Sequence, residues 1–178
     1  MTAVFTGHRP HKLGGFDLPN STYDFVYDSV LKILMERQPD RAISGMALGF
    51  DQWAAQVCVD LGVPFVAAVP FKGFEARWPE ESQSRFKELL SKAYHVAYVC
   101  DGPYKPWFMQ ERNKWMVDHL VSQDDFLLSC WDGSSGGTRN TIRYSEARRA
   151  KVGYSWVNIH PITKMLTSSA LGIQSSAR

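Results

Sequence analysis

Short apolar runs alternate with stretches of helical period along almost the whole chain. Ala3–Thr6 is an apolar run that stops at Gly7-His8-Arg9-Pro10, the pattern of a buried strand ended by a loop. Val26, Val30, Ile33 and Leu34 follow at i, i+4, i+7 and i+8, one face of a helix. Ala42–Ser44 predicts a second strand, and Gly49–Leu61 a helix closed by Gly62. Phe65–Val69 predicts a third strand, and Phe86, Leu89, Leu90 and Ala93 mark a third helix. His95–Cys100 reads as a fourth strand, followed by a helix along Met109, Asn113, Met116 and Leu120 that Pro106 would open. Asp125–Cys130 is a fifth strand, then comes a glycine-rich turn, a helix from about Thr138 to Ala150, and a sixth strand over Tyr154–Ile159.

The strands are apolar throughout rather than alternating, which is what burial on both faces requires. Strict strand–helix alternation therefore predicts an α/β, Rossmann-like, doubly wound and mainly parallel sheet with helices on both faces. One domain is expected over residues 1–162. Residues 163–178, with Ser168, Ser169, Ser175 and Ser176 and little periodicity, read as a loosely ordered tail.

Composition narrows the class without naming a function. At 178 residues, 44% hydrophobic and 21% charged, the chain reads as a soluble globular domain. Six Trp, seven Tyr and ten Phe argue against disorder. A net charge of +2, from 20 basic and 18 acidic residues, excludes a polybasic arm while leaving room for a local patch. No apolar window approaches the ~20 residues of a membrane span. The N-terminus lacks the basic-then-apolar pattern of a leader, so a cytoplasmic protein is expected. Cys58, Cys100 and Cys130 read as reduced thiols in apolar runs, and His8, His11, His95, His119 and His160 show no metal-ligand spacing. No metal or cofactor is expected.

In a doubly wound sheet, ligands bind at the carboxyl ends of the strands. The first exit, Thr6-Gly7-His8-Arg9-Pro10, opens a connection of about fifteen residues where ~2–6 is usual. Gly7 permits close backbone approach, His8 lies beside it, and Arg9 can clamp a phosphate, although a solvated loop arginine reads equally well. The second exit runs Ser44-Gly45-Met46-Ala47-Leu48-Gly49-Phe50-Asp51 and resembles a phosphate cradle, without the spacing of a dinucleotide fingerprint or a Walker loop. Asp51 there either complements the helix dipole or serves as a ribose ligand or base. The third exit carries Glu75, Arg77 and Trp78 among Phe71 and Phe74. Its aromatics either stack on a ring or pack the loop.

The fourth unusual exit follows the fifth strand: Trp131-Asp132-Gly133-Ser134-Ser135-Gly136-Gly137-Thr138-Arg139-Asn140. Glycines and serines before a helix start make a nest of backbone donors, with Thr138 as hydroxyl ligand or cap. From Ser134 to Gly153, Arg139, Arg143, Arg148, Arg149 and Lys151 stand against the single acid Glu146, an excess that the near-neutral total conceals. Anion binding is the better reading of that combination. Arg112 and Asn113, early in the fourth helix, gain interest because they would face the first loop across the central crevice.

Four blocks together resemble a known family. Thr6–Pro10, Ser44–Ala55, Gln110–Asp118 and Trp131–Thr138 are similar, in order, to the YpsA/YspA-like proteins (DUF1273 and relatives). These belong to the SLOG superfamily, with the LOG phosphoribohydrolases and the DprA DNA-binding proteins. The likeness covers residues 2 to about 160. It implies a Rossmann-like sheet that binds a nucleotide or nucleotide-derived ligand, such as an ADP-ribose-like molecule, and at family level a homodimer. Gly49 and Asp51 match the family's Gly-x-acid motif, and Gly136, Gly137 and Thr138 its phosphate-binding Gly-Gly-Thr.

The LOG pattern Pro-Gly-Gly-x-Gly-Thr, closely followed by a catalytic Glu, is not met. The nearest helical acid, Glu146, lies eight residues beyond Thr138. The expected function is therefore binding or sensing of such a ligand through Gly7, His8, Arg9, Ser44, Gly45, Met46, Gly49, Arg77, Trp78, Arg112, Asn113, Trp131, Gly136, Gly137, Thr138 and Asn140. The alternative is N-glycosidic hydrolysis of a nucleotide with Asp51 or Glu75 as the acting carboxylate. A third reading is single-stranded DNA binding through the basic helix, which the near-neutral charge disfavours.

Overall fold

A computed structural model describes residues 1–169 of the chain. Its elements are β1 (Thr2–Gly7), α1 (Ser21–Arg37), β2 (Arg41–Ser44), α2 (Phe50–Leu61), β3 (Phe65–Val69), α3 (Glu80–Lys92), β4 (His95–Tyr98), α4 (Phe108–Asp118), β5 (Phe126–Cys130), α5 (Gly137–Val152), β6 (Ser155–His160) and β7 (Met165–Ser169). They form one sheet in the order β4-β3-β2-β1-β5-β6-β7. β1 to β6 pair in parallel, and β7 alone is antiparallel, on β6. This is the Rossmann-like α/β fold that the alternation predicted.

Successive strand residues feed two separate cores, as a period of two demands. Ala3, Phe5, Ala67, Val69, Phe126 and Leu128 point into the larger one, against Val30 and Leu34 of α1, Trp53 and Val57 of α2 and Phe86 of α3. Val4, Ala68 and Leu127 point the other way, onto Met116 of α4, Leu120 and Tyr154. Each strand is thus apolar on both sides. Local chemistry marks the helix ends: Asn20 Oδ1 accepts from the Thr22 and Tyr23 N–H groups to start α1, and Gly62 takes the left-handed conformation that ends α2.

Departures from the sequence reading lie mainly at the edges. β4 stops at Tyr98, two residues short of Cys100, although the Val99 and Cys100 N–H groups still donate to the Val69 and Pro70 carbonyls at 2.9 and 3.0 Å where β3 itself ends. α4 starts at Phe108 after Trp107, so Pro106 sits outside the helix. Met165–Ser169, placed in the loose tail by the sequence, forms β7, while residues 170–178 of that tail lie outside the described residues. β7 is a largely exposed edge strand held by backbone pairing with β6 and by Arg149, which donates to the Ser169 carbonyl at 3.1 Å. Such a strand needs no apolar alternation, and so leaves no pattern to read. Cys58, Cys100 and Cys130 are all free thiols, and burial pushes Cys58 and Cys130 far up from their ordinary value.

The chain leaves β1 toward β2, β3 and β4, then returns to place β5 on the other side of β1. The reversal between β1 and β5 opens a crevice at their carboxyl ends.

Candidate functional site

That crevice is a cleft of about 320 Å³. Thr6, Gly7, His8, Arg9, His11 and Lys12 line it from the β1 exit, and Ala47 and Asp51 from the start of α2. Met109, Arg112 and Asn113 of α4 and Ser135–Thr138 before and within α5 complete it.

The turn into α2 is filled by the protein itself. Ser44 Oγ donates to the Asp51 carbonyl at 2.7 Å and accepts from the Met46 N–H at 3.2 Å, which holds Met46 in the left-handed region at φ 58°. A methyl on Gly45 would fall 2.0 Å from Arg112 Nη1, and one on Gly49 only 2.6 Å from the His8 carbonyl oxygen. Gly7 is equally constrained, because a Cβ there would meet the Phe50 ring at 2.5 Å. These glycines let the β1 exit, the β2 exit and α4 interlock; Ser44, Gly45, Met46 and Gly49 support the cleft without lining it.

Beneath the cleft lies a buried charge cluster. Asp51 is 5% exposed and Arg112 3%, with 3.8 Å between Arg112 Nη1 and Asp51 Oδ2. The Ala47 N–H approaches the same carboxylate oxygen at 3.4 Å. Arg112 also donates from Nε to Asn113 Oδ1 at 2.9 Å and from Nη1 to the Ala68 carbonyl at 3.4 Å. Burial pushes the Arg112 guanidinium down to about 10, against the pull of Asp51, which leaves it protonated near neutrality. Burial likewise lowers Arg9, opposed by Asp51. It pushes the Asp51 carboxyl up from its ordinary value, against Arg112, Arg9 and the Ala47 and Gly7 N–H groups. Arg112 thus pairs with the carboxylate, Arg9 acts on it from farther away, and the excess positive charge faces the cleft.

The turn into α5 is different. Gly136 caps the helix at φ 140° with no side chain closing the first turn, and that turn carries no acid. A Cβ on Gly136 or Gly137 would meet nothing within 4 Å. The approach is held from outside by Asp132, which accepts from the Ser134 N–H at 2.9 Å and Ser134 Oγ at 2.5 Å. His8 Nε2 lies 2.6 Å from Asp132 Oδ1, and Lys12 Nζ donates to Ser134 Oγ at 2.5 Å. Burial lowers the His8 imidazole despite Asp132 beside it. Burial would raise Asp132, but the Ser134 and His8 hydrogen bonds override it and hold the carboxyl well below the usual range.

The structure gathers Gly7, His8, Arg9, Asp51, Arg112, Asn113, Gly136, Gly137 and Thr138 at the cleft. Trp78 stands apart, packing edge-on against Phe74 and Phe86 at 4.9 and 5.3 Å; neither it, Arg77 nor Glu75 lines the cleft. The Trp131 indole donates to the Ser134 carbonyl at 2.8 Å and so braces the α5 turn. Asn140 lines a neighbouring cavity between α4 and α5. The candidate residues did not include Thr6, His11, Lys12, Ala47 or Met109, and Ser135 entered only as part of the glycine- and serine-rich turn. Only the basic character of the long first loop hinted at Lys12. Among the described residues no group of three or more His, Cys, Asp or Glu side chains is set to hold a metal, and no helix is long and apolar enough to cross a membrane.

Comparison with known proteins matches this frame. The SPbeta prophage-derived protein YoqJ of Bacillus subtilis is 29% identical over 165 residues, covering 81% of this chain and 92% of YoqJ. A UPF0398 protein of Brevibacillus brevis is 24% identical, covering 82% of this chain and 80% of its own. Among solved structures, DNA processing protein A (DprA) of Streptococcus pneumoniae superposes with a TM-score of 0.56 at 13% identity, over 82% of this chain. The superposed region spans 47% of the DprA chain, about half its length, and the likeness is one of fold. The YspA SLOG family model matches residues 3–162, and the chain belongs to that family.

Proposed function

We propose that the cleft binds a nucleotide or nucleotide-derived anion, such as an ADP-ribose-like molecule, with its phosphate on the first turn of α5. The carrying observation is the open Gly136-Gly137-Thr138 turn, whose helix start no side chain caps, facing Arg9, Lys12 and Arg112 with Asp51 as the one acid among the lining residues. A helix N-terminus favours an anion through its free N–H groups and dipole. The Arg112 guanidinium, already held by Asn113 and the Ala68 carbonyl, adds charge at little entropic cost, and Arg9 can add a charge-assisted bond. Membership of a SLOG family is compatible with such a ligand.

The same geometry favours binding over hydrolysis. A carboxylate that attacks or assists at an N-glycosidic bond must meet the substrate. Asp51 lies at the floor of the cleft, but it is 5% exposed and its carboxylate is engaged by Arg112 and the Ala47 N–H, and Glu75 is outside the cleft.

Titration calorimetry against AMP, ADP, NAD and ADP-ribose tests the proposal. At least one is expected to bind, and Gly137→Asp to weaken it about tenfold or more by placing a carboxylate where the phosphate sits. Because the space beside Gly137 is open, circular dichroism should show the variant folded. No binding, or binding indifferent to Gly137→Asp, overturns the assignment.

A further inference from the structure

The phosphate cleft does not end at α5. A second cavity of about 220 Å³ lies between α4 and α5 and shares Met109, Asn113 and Gly137 with it as common wall. On α5 its lining residues are Gly137, Asn140, Thr141 and Tyr144, spaced i, i+3, i+4 and i+7. On α4 and the turn before it they are Pro106, Met109, Gln110, Asn113 and Lys114, the same helical spacing. Each set is one face of its helix, so the cavity is a groove between two facing stripes. From Gly137 to Tyr144 the groove runs about 10 Å at the helical rise, roughly the reach of a ribose with its base.

Facing stripes of packed helices are ordinarily apolar. Here they carry the carboxamides of Gln110, Asn113 and Asn140, with the Tyr144 ring at the far end. Asn113 Oδ1 accepts from Arg112 Nε, which turns its two N–H donors away from the guanidinium. Among the described residues, the exposed Gln110 and Asn140 side chains have no protein hydrogen-bond partner and stand open to a ligand in the groove. A carboxamide offers a donor and an acceptor side by side, the complement of a nucleobase edge.

The alternative place for a base, a cavity of about 440 Å³ around Phe16 and Trp53, shares no lining residue with the phosphate cleft. The backbone at Gly49, packed on the His8 carbonyl, lies between them. A ligand anchored on α5 reaches the α4–α5 groove directly, and would have to cross that wall to reach the other.

We infer that the α4–α5 groove is the nucleoside subsite of this protein, in which Gln110 and Asn140 read the edge of a nucleobase whose 5′-phosphate lies on the α5 turn. This rests on the phosphate-binding reading of the cleft. It moves base recognition away from Trp78 and Trp131, whose rings are engaged in packing and bracing.

The test compares ribose 5-phosphate with AMP, GMP, CMP and UMP by calorimetry on the full chain. The best nucleotide should bind at least about tenfold tighter than ribose 5-phosphate, the scale of one well-made base contact. In the Gln110→Leu/Asn140→Leu double variant that advantage should vanish while ribose 5-phosphate still binds, which also shows the variant folded. Equal wild-type affinities overturn the inference, as does a base preference that survives the double variant. If ribose 5-phosphate binds and Arg9→Gln abolishes it, yet no nucleotide binds tighter, only the groove assignment fails. If none of the five compounds binds while ADP, NAD or ADP-ribose does, the groove assignment fails and the phosphate reading stands; if none of either panel binds, both fail.

Discussion

Two glycine-rich turns deliver helices to the same cleft, and they use glycine for opposite reasons. At the start of α2, Gly45 and Gly49 are small because Arg112 and the His8 carbonyl occupy the space a side chain would need. At the start of α5, Gly136 and Gly137 face open space. In the first turn the protein has completed its own hydrogen bonds and ion pair. In the second, no side chain caps the helix N–H groups at the mouth of a cationic cleft. A glycine required by internal packing is thus told from one that leaves room for a ligand only by what surrounds it.

The contrast can be broken most sharply at Arg112. Arg112→Met should leave Asp51 buried without its nearest cation and lower the stability by about 3–5 kcal/mol, measured by urea unfolding. A loss below about 1 kcal/mol would mean that Arg9 alone satisfies the carboxylate and that the α2 turn is not self-filled.

Next in size comes the glycine pair itself. Gly49→Ala should cost about 2–3 kcal/mol, since φ is 96° and the methyl would fall 2.6 Å from the His8 carbonyl oxygen. Gly137→Ala should stay within about 1 kcal/mol of wild type, because the helix start tolerates alanine and the space is open. Similar losses at both positions would remove the distinction.

The smallest effect expected is in the pH profile. His8 is held below its ordinary value, so the unfolded state binds more protons than the folded one as pH falls through about 6.5 toward the folded value, and stability drops there. Asp132 is held low as well; its contribution is present above about 3.9 and is lost as pH falls through its folded value. His8→Gln should therefore flatten the upper part of the acid limb and, by removing one of the groups that hold Asp132 low, shrink the part below about pH 4 without abolishing it, because the Ser134 bonds remain. Thermal unfolding at stepped pH reads both parts. An unchanged upper limb would separate His8 from the brace of the α5 turn.

Much of the fold was readable from the chain, for a local reason. Runs such as Phe65–Val69 are apolar on both faces because both faces are covered, and a run of that kind between helical periods says so without any partner in view. The β7 strand gave no such sign, since its neighbours are one backbone ladder and solvent. The cleft was half readable: Gly136-Gly137-Thr138 and Arg9 stand out as residue types, whereas Lys12 and Met109 come to the cleft only through the folding of a loop and the angle of a helix. The aromatics after β3 offered two readings, and the T-shaped packing of Trp78 on Phe74 and Phe86 gives them to the core.

By itself, then, the sequence determined the order of elements, the parallel sheet and the exits after β1, β2 and β5 that meet at the cleft, because periodicity and turn residues act over a few neighbours. The tertiary structure alone decided that Asp51 meets an arginine sixty-one positions away, that one glycine turn is filled and the other open, and that the cleft continues between α4 and α5. Those outcomes depend on how buried charges and helices settle against each other across the β1–β5 reversal, and no local pattern encodes that geometry.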